Sequence, residues 1–234
     1  MSVEMPKVSR LLGPKRTVQL MLDRLGALAG LLAGALFAVA AILGDPYDAA
    51  TNPNPTAPAD VVAEALTANR DEARLAAYLS LTGVFLLLWF VARLSVHTRQ
   101  AGASGEWLSL VTYAGGVATG AVILVEAGFG FASSELVSYG ADVQVAKLLF
   151  LWGWNSAILV AVPLSTMVVA TTLASFHTAV FPAWFRWFGV ASVVILFTFV
   201  LTGVFGMGSI VGMAWLMVTS AALWFKVRSP SISA

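Results

Sequence analysis

"WLSLVTYAGGVATGAVILVEAGFGF", residues 107–131, decides the fold. The stretch holds no proline and carries a single charge, Glu126. A helix needs about 20 apolar residues to cross about 30 Å of hydrocarbon. The segment therefore reads as a transmembrane helix. Five more stretches of the same kind flank it, at 24–44, 74–96, 147–175, 184–204 and 207–225. The expected fold is all-α, a polytopic bundle of six transmembrane helices.

Composition agrees: 59% of the 234 residues are hydrophobic and 11% are charged, against roughly 25% charge in an ordinary soluble domain. Mean hydropathy is +0.87. There is no cysteine, which excludes a disulfide framework, a thiolate metal site and a cysteine nucleophile. A net charge of +1 gives no reason to expect a nucleic-acid partner. In a membrane protein the position of charge matters more than its sum. With the N-terminus placed in the cytoplasm, the inner side receives Lys7, Arg10, Lys15, Arg16, Arg24, Arg93, Arg99, Arg186, Lys226 and Arg228, and the outer side Arg70, Arg74 and Lys147. That bias predicts both termini inside a cytoplasmic membrane.

The chain divides into a cytoplasmic segment 1–23, a membrane domain 24–225 with an outer loop at 45–73, and a tail 226–234. Val8, Leu11, Leu12, Val18 and Met21 equip the first segment to lie on the membrane as an interfacial helix, unless it is a solvated tail. A signal peptide is the competing reading of helix 1, since basic residues precede it and Ala38-Val39-Ala40 imitates a cleavage site. Its apolar run exceeds the usual 7–15 or so residues. Gly26, Gly30, Gly34 and Ala38 also give it a face of small side chains against which another helix can pack closely. The outer loop opens with "DPYDAATNPNPTAPAD", rich in proline, and "ADVVAEAL" then reads as a short helix capping the bundle through Val61, Val62, Ala65 and Leu66. Asn69 and Glu72 have the spacing of a capping box at the start of helix 2. "GVFGMG" reads as a tight outer connection between the last two helices. "LSVHT" and "ASFHT" end helices 2 and 4, each with a tryptophan ten residues beyond its histidine, as in a duplicated hairpin.

Glu126 is the residue with most chemistry. An ionised carboxylate at the centre of a helix in hydrocarbon costs about 2.5–3.5 kcal/mol on insertion scales, so it must face protein, be protonated or touch water. Thr112, Thr119 and Glu126 repeat every seven residues beside Gly116 and Gly120, which points it to a packed side. Helix 4 runs the other way, so Asn155, eight residues after Lys147, falls at a similar depth and is the expected partner. Tyr78, Ser80, Thr82, Ser156, Thr198, Thr202 and Ser209 add hydroxyls in the same outer half, with Trp152 and Trp154 bordering them. Pro163 frees the carbonyl of Leu159 and bends helix 4 toward them. Together these residues predict an outward-opening pocket. Alternatively, the hydroxyls only join helices, an effect averaging about 0.6 kcal/mol per contact.

His97 and His177, at the inner helix ends, are weak metal or haem candidates, because two ligands without an acid or thiol make a poor site. No cofactor is expected. Hydrolysis needs a nucleophile with a base or paired carboxylates, and the membrane offers one carboxylate.

"KLLFLWGWNSAILVAVPLSTMVVATTLASFHTAVFPAWFRWFGV", with "ANRDEARLAAYLSLTGVFLLLWFVARL" and "YAGGVATGAVILV" before it, resembles a set of uncharacterised six-helix integral membrane proteins of actinobacteria, grouped under domains of unknown function. The likeness runs over most of 69–225. It rests on the Asn-Arg start of helix 2, the Ala-Gly-Gly of helix 3 and the Pro-x-Trp-x-x-Trp before helix 5. His177 stands where those proteins tend to have arginine. The resemblance implies a six-span bundle and assigns no activity. Three functions follow from the residues: non-enzymatic binding of a small apolar or amphipathic ligand, a lipid among them, or of a membrane partner protein; proton-linked transport through Glu126; and lipid modification.

Overall fold

A computed structural model describes residues 14–43, 56–178, 181–202 and 205–228. The interfacial helix expected before residue 14, the proline-rich run and the tail from 229 lie outside the described residues, as do 203–204 in "GVFGMG". Among the described residues there are seven α-helices and no strand: α1 (Pro14–Leu43), α2 (Ala59–Ala68), α3 (Arg70–Thr98), α4 (Gly105–Ser138), α5 (Val143–His177), α6 (Ala183–Thr202) and α7 (Phe205–Arg228). Four stretches are long and apolar enough to cross a membrane: Met21–Leu43, Arg70–Thr98, Gly102–Ser138 and Leu159–His177. Val143–Gly153, Ala183–Phe199 and Ile210–Phe225 are shorter apolar helical stretches.

The long helices close a ring. α1 packs on α3, α3 on α4, α4 on α5, α5 on α6, α6 on α7, and α7 returns to α1. α1 runs antiparallel to α3, with Gly26 against Arg93 and Phe37 against Gly83, and antiparallel to α7, with Gly30 against Ser220 and Gly34 against Met217; the short turns after α3 and α4 give the same sense to α3/α4 and α4/α5. The core inside the ring is built from Phe37 of α1, Leu87, Phe90, Val91 and Leu94 of α3, Met167 and Val168 of α5, Phe185 and Leu196 of α6, and Trp215 and Leu216 of α7. α2 lies across the ends of α4 and α5, burying Ala59, Val62 and Ala63.

Small residues set the closest approaches. A Cβ at Gly26 would meet the Arg93 side chain, one at Gly30 would meet Phe90 and Ser220, and one at Gly34 would meet Met217. The glycine face of α1 is therefore wedged between α3 and α7. Gly116 and Gly120 receive Val91 and Val84 of α3, whereas Gly115 sits against the backbone of Pro163 and Met167 on α5. Adjacent glycines thus serve two different neighbours.

Two boundaries differ from expectation. Asn69 does not cap α3 with its side chain; its amide Nδ2 donates to the Ala65 carbonyl at 3.0 Å and closes α2 instead. The two helices meet with one residue between them, so Asn69 ends one as it begins the next. α4 continues seven residues beyond Phe131, to Ser138, so "SSEL" (133–136), past the expected span 107–131, is helical. The chain reverses through Tyr139–Asp142. Gly140 at φ 74° provides the left-handed residue, Gly140 N donates to Val137 O and Ala141 N to Leu136 O, which is the paired closure of a Schellman motif. Asp142 then accepts from Gln144 N at 2.8 Å to start α5. The signal for the true turn was Gly140 followed by Asp142, not the serines. At 1.5 Å per residue, 34 residues of α4 reach about 51 Å, beyond the about 30 Å of a hydrocarbon core.

Candidate functional site

Glu126 lies in the C-terminal half of α4. It is nine residues from Glu135, about 13 Å along the axis. α4 and α5 are in close contact at this level: a Cβ at Gly153 would lie 3.8 Å from the Glu126 carbonyl and 3.8 Å from Gly130 N. Asn155 is two residues further along α5. Depth and neighbouring helix are therefore those expected for the pair, yet the side chains do not bond. Asn155 is exposed and donates through Nδ2 to Leu151 O of its own helix at 2.7 Å. Glu126 is half-buried as a residue, and no hydrogen bond or ion pair joins its carboxyl to another described residue.

The hydroxyls behave alike. Thr82 donates to Tyr78 O at 2.9 Å, Thr119 to Gly115 O at 2.8 Å, Ser156 to Gly153 O at 2.6 Å, Thr198 to Val194 O at 2.8 Å and Thr202 to Thr198 O at 2.8 Å. Each satisfies its donor within its own turn, the usual solution where no water is present. Thr119 is buried; Thr82, Thr198 and Thr202 are exposed on α3 and α6. Tyr78 is exposed with its ring 6.4 Å from that of Phe131. Of the residues expected at the pocket, Tyr78, Thr82, Trp152, Asn155, Thr198 and Thr202 are exposed, spread over α3, α5 and α6. The side chains of Trp154 and Ser209 lie outside them.

One group does gather. Leu148, Leu151, Trp152 and Asn155 line a shallow hollow of about 300 Å³ on α5, open to one side. Trp152 stands 6.1 Å from the Phe129 ring of α4. The hollow is apolar except for Asn155, whose Oδ1 accepts no bond from another described residue. It can take a hydroxyl or amide N–H donated by a molecule lying against the helix.

Two ionic clusters escaped the sequence reading. At the α2 end, Arg70 grips Glu135 side-on, with Nε to Oε1 at 3.3 Å and Nη2 to Oε2 at 2.7 Å, and Arg74 Nε donates to the same Oε1. At the opposite end, Arg93 pairs with Asp23 of α1, and His97 Nε2 lies 3.7 Å from the same Asp23 oxygen. Arg70/Arg74 and Arg93/His97 are each four apart on α3, one helical turn, which is the signal that was legible. Their acids are not, since Glu135 lies past the expected span 107–131 and Asp23 in the segment before helix 1. His177 is exposed and distant in sequence from that cluster, and no group of three His, Cys, Asp or Glu converges among the described residues.

Comparison of the chain with protein-family models, with curated proteins and with solved structures returns no match.

Proposed function

We propose that this is a six-span protein of the cytoplasmic membrane, with both termini inside, that binds a small amphipathic ligand, a lipid above all, at the hollow on α5. The charge bias and the closed ring of six helices, four of which hold stretches long and apolar enough to span a membrane, support the topology. Asn155 carries the functional reading. An amide carbonyl without a donor is costly against acyl chains, and a ligand with a hydroxyl or amide on an apolar body removes that cost while its body covers Leu148, Leu151 and Trp152.

A second reading rests on Glu126, a carboxyl that no described residue neutralises. Acids within membrane spans commonly mark proton or ion paths. The two readings are separated by purifying the protein in mild detergent, identifying retained lipids by mass spectrometry, and measuring proton flux in proteoliposomes. Ligand binding predicts that Asn155→Leu folds normally and loses a hydroxyl- or amide-bearing lipid that Glu126→Gln keeps. An unchanged lipid set in Asn155→Leu, together with flux that disappears in Glu126→Gln, would replace the first reading by the second.

A further inference from the structure

The cluster at the α2 end leaves one guanidinium edge open. Glu135 keeps 10% of its side-chain surface exposed, and both of its oxygens are taken by Arg70, with Arg74 Nε added on Oε1. One guanidinium is enough to neutralise one carboxylate. Arg74 is left with its Nη1 and Nη2 edge, which makes no hydrogen bond to another described residue. The nearest other acid is Asp71, 3.9 Å from Nη1. Asp71 is 96% exposed, and such a pair is weak in water. The free edge of an arginine is a two-pronged donor that matches phosphate.

What lies beside Arg74 is apolar and exposed. Tyr78, Leu81 and Phe85 follow at the spacing of one helix face, and Tyr78 is backed by Phe131. A cation fork at one level with an apolar strip running inward from it is complementary to a phosphate headgroup and its acyl chain. The open edge is a donor to anionic oxygens, which favours a headgroup without an ammonium to occupy its phosphate. We propose that the free edge of Arg74 holds the phosphate of an anionic phospholipid in the leaflet on the α2 side, its chain lying along Tyr78, Leu81 and Phe85. The proposal rests on the membrane placement above and not on the Asn155 ligand, which sits on a different helix.

The test uses the full chain in nanodiscs of equal phosphatidylglycerol and phosphatidylcholine, released and weighed with bound lipid by native mass spectrometry. Wild type is expected to retain phosphatidylglycerol about fivefold over phosphatidylcholine, the effect of one interfacial cation on an anionic lipid. Arg74→Gln, in which Arg70 still neutralises Glu135, should bring the ratio to about one. Asp71→Asn removes the competing carboxylate from an exposed position and should raise it. Inorganic phosphate in excess should leave the wild-type ratio in place, since the chain contacts belong to the lipid. Equal retention in wild type, a preference for phosphatidylcholine, or a ratio unaltered by Arg74→Gln overturns the site. So does a phosphate-displaced ratio, which would assign the fork to free anions. Should circular dichroism show Arg74→Gln misfolded, Asp71→Asn decides alone: a higher ratio upholds the site and an unchanged or lower one removes it. Failure at Asn155 would leave all these outcomes as they are.

Discussion

Asp23 and Arg93 show how a charge can be held where water is scarce. Arg93 fits against α1 because Gly26 has no side chain to meet its Cβ and Cγ, and Asp23 lies one turn before Gly26 to receive its guanidinium. His97, one turn along α3, stands by the same oxygen. The side chains of Asp23, Arg93 and His97 keep only 13%, 15% and 16% of their surface exposed, so either charge alone would be badly placed. Removing one partner from a buried pair costs about 3 kcal/mol or more, whereas replacing both by apolar groups of similar volume is often neutral. Asp23→Ala should therefore lower the thermal midpoint in detergent by an amount equivalent to about 3 kcal/mol, and Asp23→Leu with Arg93→Met together should recover most of it. Equal losses in the single and double variants would mean that packing, not charge pairing, holds α1 to α3. None of this cluster was legible in the sequence beyond the four-residue spacing of Arg93 and His97, because pairing between α1 and α3 depends on their contact. Glu126 was the reverse case. Its isolation on an apolar helix was obvious from residues 107–131, but the rotamer that leaves Asn155 bonded to Leu151 was not.

At the scale of helices, glycine position is the most informative part of the sequence. The four-residue repeat on α1 and the Gly116/Gly120 pair were readable as packing faces, since hydrocarbon offers helices no hydrophobic reason to associate and close approach must replace it. Which neighbour each face meets was not readable. Gly115 and Gly128 make the difference measurable. A Cβ at Gly115 would fall 2.9 Å from both Met167 N and Pro163 O, which are backbone atoms and cannot turn aside, while one at Gly128 meets nothing within 4 Å. Gly115→Ala should destabilise by about 1–3 kcal/mol by forcing α4 from α5, and Gly128→Ala should be neutral or stabilise by up to about 1 kcal/mol, as expected of a helix glycine with open space. Thermal unfolding of the two variants in one detergent checks this. If they lose stability equally, α4 and α5 are not in close contact at Pro163. The helix ends were the least legible elements. Ser133 and Ser134 fall past the expected span 107–131, yet both donate to carbonyls of the preceding turn inside α4.

For the whole molecule, hydropathy counts helices and says little about their order around the ring. The contact of α1 with α7 joins the two ends of the described chain, and nothing local in either segment specifies it. Polarity is the other global property: it depends on the distribution of lysine and arginine along the whole chain, and the two ionic clusters at opposite ends of α3 do not set it. The chain has no cysteine, so single cysteines can be labelled without background. Glu64 on α2, Ala103 in the turn between α3 and α4, and Ala183 at the start of α6 are exposed. α3 separates the first from the second, and the last should share a side with the second because α4 and α5 cross in opposite directions between them. With both termini inside, a membrane-impermeant maleimide added to intact cells should modify Glu64→Cys, and should modify Ala103→Cys and Ala183→Cys only after permeabilisation. The opposite pattern would invert the protein and transfer the Arg74 site to the inner leaflet. Modification of Glu64→Cys and Ala103→Cys from the same side would mean that α3 does not cross, and disagreement between Ala103→Cys and Ala183→Cys would leave either α4 or α5 as a helix that enters the membrane without traversing it.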